Sequence, residues 1–389
     1  MAWPWPACAQ HKTPPAPQWA RAFATEIPTD RTGGKTYAAS GARSGSVPVS
    51  ALFTLGRVLS RTTAPGHLSV LMYHGTTAAP LAIADPCFIL RDEFAAQMQW
   101  LADMKVDVLP LPEAVASLCS GRLRRPCVAL TFDDGYRSNL TQTLPVLERH
   151  GFPATVFLTT GLTGTDRTLW PSRLNLALSH STQDRLIWAG QSFFLSTPED
   201  RIATLARLQQ GVKTVAGNAP GAAVAEIEAL LGTGEVRVGP DSPFAMMTPD
   251  DIGACLRSGL IDFGAHTVSH PLLSRLDDAR LTMEISGSIA AVEALTGRAC
   301  RSFAYPNGQR TDFDRRAIDA LRKRGIQTAV AAIEGPNAPT ADPMQIRRWG
   351  IGPNVSRKRF GGVALNVVPA AIRSNLRHRL GLSRAGAGP

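Results

Sequence analysis

Residues 128–136 carry the sequence VALTFDDGY, an apolar run that ends in two adjacent aspartates. The run predicts a strand buried on both faces, and Asp133 and Asp134 follow directly after it. Neighbouring carboxylates in a partly dry site repel each other, so they need a cation or hydrogen bonds to pack. Gly135 allows a sharp turn that would aim both side chains at one point. Taken alone, such a motif more often marks a helix N-cap followed by a turn glycine.

Runs of the same kind recur along the chain and alternate with helical patterns. Short apolar runs predict further buried strands at residues 68–73, 154–158, 261–264, 302–305 and 328–332. Apolar residues at helical spacing predict helices at residues 92–104, 139–149, 281–295 and 313–324. Strands separated by helices pair in parallel through crossover connections, which gives an α/β fold. Their number and the chain length fit a closed or partly closed β/α barrel, whose sites form at the carboxyl ends of the strands.

The composition changes along the chain and suggests three regions. Residues 1–50 are rich in Pro, Gly, Ala, Ser and Thr without periodicity, which predicts a disordered leader. A main domain is expected over residues 51–355, where the apolar patch at 51–59 suits a helix at the domain edge. Residues 356–389 form a basic C-terminal tail.

The α/β pattern loosens over residues 185–249, which we interpret as a helical insertion within the barrel. Loops on a rigid scaffold usually shape sites, so this insertion is expected to border the cleft. Trp170 and Arg173, just before it, are further candidates for the lining of the cleft.

The overall composition excludes several classes of protein. Hydrophobic residues make up 44% and charged residues 19% of the 389 residues, so the chain is not disordered as a whole. No run of about 18 apolar residues occurs, so no membrane-spanning helix is predicted. The six cysteines are scattered without CxxC pairs, which argues against a disulfide scaffold or a cysteine-bound zinc.

The net charge of +10 lies at the two ends of the chain. Residues 1–65 hold seven Lys or Arg against two acids, and residues 351–389 hold seven against none. Residues 363–380 suit peripheral contact with a membrane or polyanion, although an Arg-rich composition explains the charge equally simply. No nucleic-acid partner is predicted. The chain start lacks the pattern of a secretory signal, so localisation stays open between cytoplasmic and membrane-peripheral.

A second candidate cluster, HTVSHP at residues 266–271, follows the predicted strand at 261–264. Two imidazoles four residues apart can share one metal ion, and the flanking glycine and proline place them in a loop or first helical turn. Ordinary surface or core histidines give the same spacing. However, only eight histidines occur in the chain, and these two lie at a strand end. Asp134, His266 and His270 would supply three N/O ligands and leave one position open, the pattern of catalytic zinc.

The third cluster is FAYPNG at residues 303–308, at the end of another predicted strand. Pro306 fixes the backbone and Gly308 turns it, so a main-chain N–H near Asn307 would be presented rigidly to a developing oxyanion. Tyr305 is the only ionisable side chain in the cluster. An ordinary strand-ending turn is the other interpretation.

Together the three clusters resemble the polysaccharide deacetylase family, also called the NodB-homology or carbohydrate esterase 4 group. They are similar to its TFDDG, H[ST]xxHP and FxYPxG-like motifs, in that order, over roughly residues 66–355. The resemblance implies a distorted (β/α)7 barrel and metal-dependent N- or O-deacetylation of carbohydrate, often outside the cytoplasm. It also implies that Asp133 is the general base. The metal ligands that it implies, with Zn²⁺ as the expected ion, are Asp134, His266 and His270.

The sequence departs from the family pattern in two places. Many members have an arginine in the third motif, but Ala304 stands there, and Asn307 replaces an aromatic residue. A main-chain donor at Asn307 survives that change, whereas a side-chain contact to the base does not. Many members also take a general acid from a late Leu-x-His motif. The match at residues 376–378 lies in the basic tail, beyond the last predicted strand.

Two further residues resemble those of a circularly permuted subgroup that includes exopolysaccharide deacetylases. His74 ends the sequence LMYH after the first strand, where that subgroup has its general acid. A structural histidine at a strand end is the alternative. Arg348, within RRWGI, resembles a late arginine that holds the base carboxylate by a charge-assisted pair. The alternative there is a surface arginine.

The sequence therefore predicts a hydrolase that removes acetyl groups from an acetylated glycan, either a polysaccharide or a glycan precursor. Metal-activated water would attack, with Asp133 as base and His74 as acid, while Tyr305 and Asn307 lie near the substrate or oxyanion. The main alternative is a catalytically inactive carbohydrate-binding relative, which the missing arginine of the third motif favours. The complete aspartate and histidine sets oppose it. A membrane- or polyanion-associated scaffold acting through the tail is a further alternative.

Overall fold

A computed structural model describes residues 66–215 and 220–366 of the protein. The predicted leader at 1–50 and the apolar patch at 51–59 lie outside the described residues. The Leu-x-His match at 376–378 also lies outside them, as do residues 367–380 of the segment 363–380 that was predicted to contact a membrane or polyanion. None of the helices in the described ranges combines the length and hydropathy that a bilayer-spanning helix needs.

Strands and helices alternate along the chain, as the hydrophobic pattern predicts. The strands are β1 Leu68–Tyr73, β2 Gly75–Thr77, β3 Phe88–Leu90, β4 Asp107–Val108, β5 Cys127–Phe132, β6 Ala154–Leu158, β7 Arg185–Trp188, β8 Gln191–Phe194, β9 Ile261–Ala265, β10 Ser302–Ala304, β11 Thr328–Ala331, β12 Ile346–Arg347 and β13 Trp349–Gly350. The α-helices are α1 Arg91–Asp103, α2 Leu111–Cys119, α3 Leu144–His150, α4 Trp170–His180, α5 Pro198–Val215, α6 Pro220–Leu230, α7 Pro249–Arg257, α8 Asp278–Thr296, α9 Arg315–Lys323 and α10 Arg357–Ala364.

The predicted helix at 139–149 is divided in the structure. Residues Asn139–Thr143 form a π-helical turn, and the α-helix begins only at Leu144. Pro145 lies in the first turn of α3, where its missing N–H costs no helical hydrogen bond. The proline therefore marks the start of the α-helix, one of the two possibilities that its position in the sequence allows.

Parallel strands form a nearly closed barrel, which confirms the predicted α/β barrel. Neighbouring strands run in the order β12-β11-β10-β9-β6-β5-β1-β13, with the short β4 paired to β5. The two ends of this order belong to one chain segment, because only Arg348 separates β12 from β13. β12 pairs with β11, and β13 pairs with β1. Residues 346–350 thus occupy the seventh position of the barrel and close it.

Apolar burial holds the helices against the outside of this barrel. All six residues of β5 are buried, which explains the continuous apolar run in its sequence. On α8 the buried apolar residues recur at helical spacing: Leu281, Ile285, Ile289 and Val292. Each such side chain contributes roughly 1.5–3 kcal/mol when fully buried. This packing fixes the strand ends, which carry all three sequence motifs.

The chain between β6 and β9 forms a second apolar core outside the barrel. The helices α4, α5 and α6 surround it together with the antiparallel hairpin β7–β8. Its buried residues include Leu174, Leu205, Val212 and Ile227. The helical insertion that the sequence predicts at residues 185–249 contains α5 and α6. The hairpin was not predicted, because each of its strands has only four residues and its alternation is correspondingly short.

Helix α10 packs on the barrel, although the sequence placed the end of the domain at residue 355. Phe360 is buried and meets the ring of Trp100 in α1 edge to face, with 5.6 Å between the ring centroids. The hydroxyl of Ser69 in β1 donates to the carbonyl of Val363 at 2.7 Å. The packed part of the chain therefore extends through Ala364. The sequence did not predict this short helix, because its eight residues include two glycines and three basic residues and show little apolar periodicity.

Candidate active site

The carboxyl ends of the barrel strands converge on one cavity of about 170 Å³. Strand ends from distant parts of the sequence meet here because parallel pairing aligns their directions. The predicted site residues that line it are His74, Asp133, Asp134, His266, His270, Tyr305 and Asn307. Arg348 reaches the same place from the segment that closes the barrel.

Asp133 and Arg348 form a buried, bidentate ion pair. Nη1 of Arg348 donates to Oδ1 of Asp133 at 2.6 Å, and Nη2 donates to Oδ2 at 2.7 Å. Nη1 also donates to Oγ1 of Thr131 at 3.2 Å, and Nε donates to the carbonyl of Ala331 at 3.3 Å. The side chain of Arg348 is 0% exposed, so it is not a surface arginine. A planar guanidinium matches a carboxylate in this fork geometry and fixes its orientation.

The ion pair determines the charge of Asp133. Burial by itself raises the pKa of this carboxyl, but the charge and the hydrogen bonds of Arg348, together with the neighbouring His266 and His74, outweigh burial and hold the pKa far below the usual range. Asp133 is therefore ionised across the whole working pH range. Asp134 has no such partner, and burial together with the charge of Asp133 raises its pKa. A carboxylate in that position becomes stable when a cation lies next to it.

Asp134, His266 and His270 bring three potential ligand atoms together. Oδ1 of Asp134 lies 3.6 Å from Nε2 of His266 and 3.6 Å from Nε2 of His270. One ligand atom from each residue lies within 4.8 Å of those of the other two. Two ligands about 2.1 Å from a tetrahedral zinc ion lie roughly 3.4 Å apart, so these separations fit a shared ion. All three side chains are buried at the rim of the cavity.

The imidazole of His266 is oriented for metal binding. Its Nδ1 lies 2.7 Å from the carbonyl oxygen of Ala304, so the N–H donates there and leaves the lone pair on Nε2. Burial lowers the pKa of His266 to about 4, which keeps the ring neutral near pH 7. Burial also lowers the pKa of His270. Neutral imidazoles are the form that binds metal.

Two of the three candidate ligand residues have an unusual backbone conformation. Asp134 has φ 76°, and His270 has φ 61°, both in the left-handed region that side chains rarely adopt. Such conformations cost about 1–3 kcal/mol each and persist only where the surroundings enforce them. They turn the two side chains toward His266. The histidine pair therefore lies in a loop, one of the two placements that the sequence allows.

Glu284 of α8 holds that loop, a role that no sequence pattern indicates. Its carboxylate accepts hydrogen bonds from the backbone N–H groups of Val268 and Ser269, both at 2.9 Å, and from the Ser269 hydroxyl at 2.5 Å. The side chain is 1% exposed. A glutamate within an amphipathic helix pattern resembles any solvated face residue, so only the packing of α8 against the loop reveals its role.

The third motif forms the turn that was predicted for it. Asn307 has φ 56° and lies at the cavity, and its N–H donates to no acceptor within the described ranges 66–215 and 220–366. Tyr305 stacks on Phe313 with 3.8 Å between the ring centroids, and its hydroxyl donates to the carbonyl of Met344 at 2.9 Å. Tyr305 therefore borders the cavity with a hydroxyl already engaged, which leaves Asn307 as the free donor of this motif.

His74 follows β1 directly and lines the cavity while staying partly exposed. Burial lowers the pKa of His74, the charge of Asp133 raises it, and the charge of Arg348 lowers it further.

Trp170 and Arg173, the two residues expected along the cleft, differ in their positions. Trp170 lines the cavity, whereas Arg173 is buried in a bidentate pair with Glu228 at 2.9 and 2.5 Å. Arg173 thus anchors α4 to α6.

Known proteins share parts of this sequence and this fold. The family model of the polysaccharide deacetylases matches residues 120–329, more than half of the chain. The Bacillus subtilis protein YxkH, which carries the name of a polysaccharide deacetylase, is 36% identical over 101 residues. That match spans 25% of this chain and 34% of YxkH, so the chain matches about a third of the length of this relative.

Solved structures show the same fold at low sequence identity. The Streptococcus pyogenes deacetylase PplD, solved in complex with acetate, has a TM-score of 0.52 and 19% identity over 76% of this chain and 97% of its own. A polysaccharide deacetylase from Bacillus cereus has a TM-score of 0.50 and 17% identity over 77% of this chain and 69% of its own. The family match rests on the segment that contains the TFDDG and HTVSHP motifs. This chain belongs to the polysaccharide deacetylase family.

Proposed function

We propose that this protein is a metal-dependent hydrolase that removes acetyl groups from an N- or O-acetylated glycan. The observation that carries the proposal is the grouping in one cavity of the Asp134, His266 and His270 ligand atoms with the Asp133–Arg348 ion pair. Family membership supports the same chemistry. Binding of a sugar alone requires neither a metal-ligand set nor an ionised buried carboxylate.

The donor set fits a divalent metal. It combines two neutral imidazoles and one carboxylate, which zinc accepts at catalytic sites with a position left open. Asp134 has a raised pKa without a cation, and the ion would supply the missing positive charge. When bound, such an ion polarises an acetyl carbonyl and lowers the pKa of a coordinated water to about 7.

Asp133 is proposed to accept the proton of the attacking water. Arg348 occupies one lone pair on each carboxylate oxygen, and an ionised carboxylate has about four acceptor positions, so two remain. The ion pair also prevents the carboxylate from turning away from the ligands. A general base placed in this way contributes about 10²–10⁴-fold to the rate.

The N–H of Asn307 is proposed to stabilise the oxyanion that develops on the acetyl group. It is a main-chain donor held by a rigid Pro-Asn-Gly turn, and it lies at the cavity without a protein acceptor in the described ranges. Loss of one such donor costs about 3–4 kcal/mol in comparable enzymes. Because the donor belongs to the backbone, the replacement of the family's aromatic residue by Asn307 leaves it in place.

His74 is proposed to protonate the departing group. Burial and Arg348 make the imidazolium of His74 a stronger acid than free histidine, while Asp133 partly stabilises it. We expect His74→Gln to lower kcat by about 10²–10⁴-fold while the bound metal is retained. Elemental analysis and steady-state kinetics on the same preparation measure both quantities. Wild-type turnover in this variant would assign His74 a structural role at the end of β1.

The activity itself is tested by acetate release. Purified protein is incubated with defined acetylated glycans, and acetate is measured before chelation, after chelation and after zinc is added back. We expect release that a chelator abolishes and zinc restores, since the ligands supply the only catalytic metal site proposed. Release that persists after complete metal removal would contradict the metal dependence.

The absence of release from every glycan, with binding retained, would support the inactive carbohydrate-binding alternative. One argument for that alternative was the missing arginine of the third motif. Arg348 provides a guanidinium to the base carboxylate from the closing segment of the barrel, so Asp133 does not lack a partner. This contact supports the hydrolase over the inactive alternative.

A further inference from the structure

Part of the cavity wall comes from the second core rather than from the barrel. Gln209 and Lys213, four residues apart on α5, line the cavity, and Trp170 at the start of α4 lines it too. Asp85, between β2 and β3, completes this group. None of these four side chains has a part in the proposed hydrolysis. We call Asp85, Trp170, Gln209 and Lys213 the outer wall.

Lys213 carries a positive charge that no acid neutralises at close range. Its side chain is partly buried, and within the described ranges no carboxylate lies within 4.0 Å of its ammonium. Lys213 lines the same cavity as His266 and His270, so its side chain borders the space beside the proposed metal ligands.

The helix that carries Lys213 is tied to the metal-ligand loop. Nη1 of Arg275, five residues after His270, donates to the backbone carbonyl of Lys213 at 2.6 Å. This hydrogen bond fixes the last turn of α5 relative to the loop. The backbone of Lys213 therefore has a defined position beside the cavity.

Asp85 is already engaged by hydrogen bonds and does not act as a counter-ion for Lys213. Its side chain is 6% exposed, and Oδ1 accepts from the backbone N–H of Cys87 at 2.9 Å. Gln209 lines the same cavity. Asp85 and Gln209 thus present a carboxylate acceptor and an amide, which suit sugar hydroxyls. Trp170 also lines the cavity, with most of its side chain buried in the second core.

We propose that Lys213 is a specificity residue that binds an anionic oxygen group, a carboxylate or a phosphate, on the acetylated glycan. This inference rests on the proposed function. A neutral sugar that fills the cavity would displace the water around the ammonium of Lys213 without supplying a charged partner. This loss of hydration is unfavourable. An anionic group would form a charge-assisted hydrogen bond with the same ammonium. The outer wall therefore favours a charged substrate over a neutral one.

The test compares three probes that share the acetamido sugar: N-acetylglucosamine, N-acetylmuramic acid with its carboxylate, and N-acetylglucosamine 1-phosphate. Calorimetry on wild-type protein is expected to show tighter binding of one or both anionic probes than of the neutral probe. Lys213→Met should weaken binding of the anionic probe about 10-fold, which corresponds to about 1.4 kcal/mol, and leave the neutral probe unchanged, since the substitution removes a charge-assisted hydrogen bond. Comparing the carboxylate with the phosphate identifies the preferred anion.

Two variants serve as controls. Lys213→Arg keeps the charge and should retain the preference for the anionic probe. Lys323→Met removes an exposed lysine at the end of α9 and should change none of the three affinities. Zinc content and melting temperature are measured for every variant. A fall in zinc content of Lys213→Met, with unchanged probe ratios, would overturn the inference and make Lys213 an electrostatic part of the metal site.

Two outcomes separate the role of Lys213 from the hydrolase activity. Equal affinity for neutral and anionic probes in wild-type protein and Lys213→Met, with acetate released normally, overturns the role of Lys213 alone. Lys213-dependent binding of an anionic probe without acetate release from any glycan supports the role of Lys213 and overturns the hydrolase alone.

Discussion

The turnover of an Asp133→Asn variant is expected to fall by about 10²–10⁴-fold, while the variant keeps its metal. The asparagine amide cannot accept the water proton, whereas Asp134, His266 and His270 remain as they are. Acetate release measures the first quantity, and elemental analysis measures the second. Loss of zinc from this variant would show that the roles of the two aspartates have been assigned the wrong way round.

The same substitution leaves the guanidinium of Arg348 buried without its anionic partner. Removing one member of a buried ion pair typically destabilises a protein by about 3–5 kcal/mol, so denaturant unfolding should show a loss of this order. The double variant Asp133→Asn, Arg348→Met removes both charges and should recover part of that stability without recovering turnover. Recovered turnover in the double variant would contradict the role of Asp133 as base.

His266→Ala is expected to have the second large effect, through the metal. Removing a hydrogen-bond partner of a metal ligand costs roughly 10–100-fold in metal affinity, and removing the ligand itself should cost more. The substitution also deprives the carbonyl of Ala304 of its donor. Zinc titration with a competing chelator gives the affinity, and acetate release should fall in parallel at limiting zinc.

The matched control for this prediction is His180→Ala. His180 is exposed at the end of α4 and lies outside the lining of the cavity. Its loss should leave the zinc affinity unchanged. Equal zinc affinity in wild-type protein and His266→Ala would remove His266 from the ligand set, and Asp134 with His270 would then need another partner.

The local hydrophobic pattern was sufficient to predict most of the strands and helices of the barrel. The buried strands at 68–73 and 154–158 coincide with β1 and β6, because continuous apolar runs bounded by turns specify a strand buried on both faces. The motif residues after β5 and β9 were also identifiable, since polar groups at the carboxyl ends of parallel strands must meet at one edge. Their spacing in three dimensions agrees with that expectation.

Other features depended on contacts between distant parts of the chain. The closing segment at 346–350 has two-residue strands, too short for any periodicity, so its place between β11 and β1 followed only from pairing. Arg348 and Asp133 are 215 residues apart, and nothing local distinguishes this buried arginine from an exposed one. Resemblance to a family suggested the pair, and the closed barrel brought the two groups together.

By itself, the sequence determined the family motifs and their places at the ends of strands, because side-chain type and strand ends are local properties. Tertiary structure decided which side chains lie around those motifs: Glu284 on the loop between His266 and His270, Arg348 on Asp133, and Lys213 at the cavity wall. Burial and ion pairing arise only when distant segments pack, and they set the charge and direction of a group. The same local sequence pattern can belong to a solvent-exposed side chain or to a buried one at a site. Only the packing of distant segments distinguishes the two.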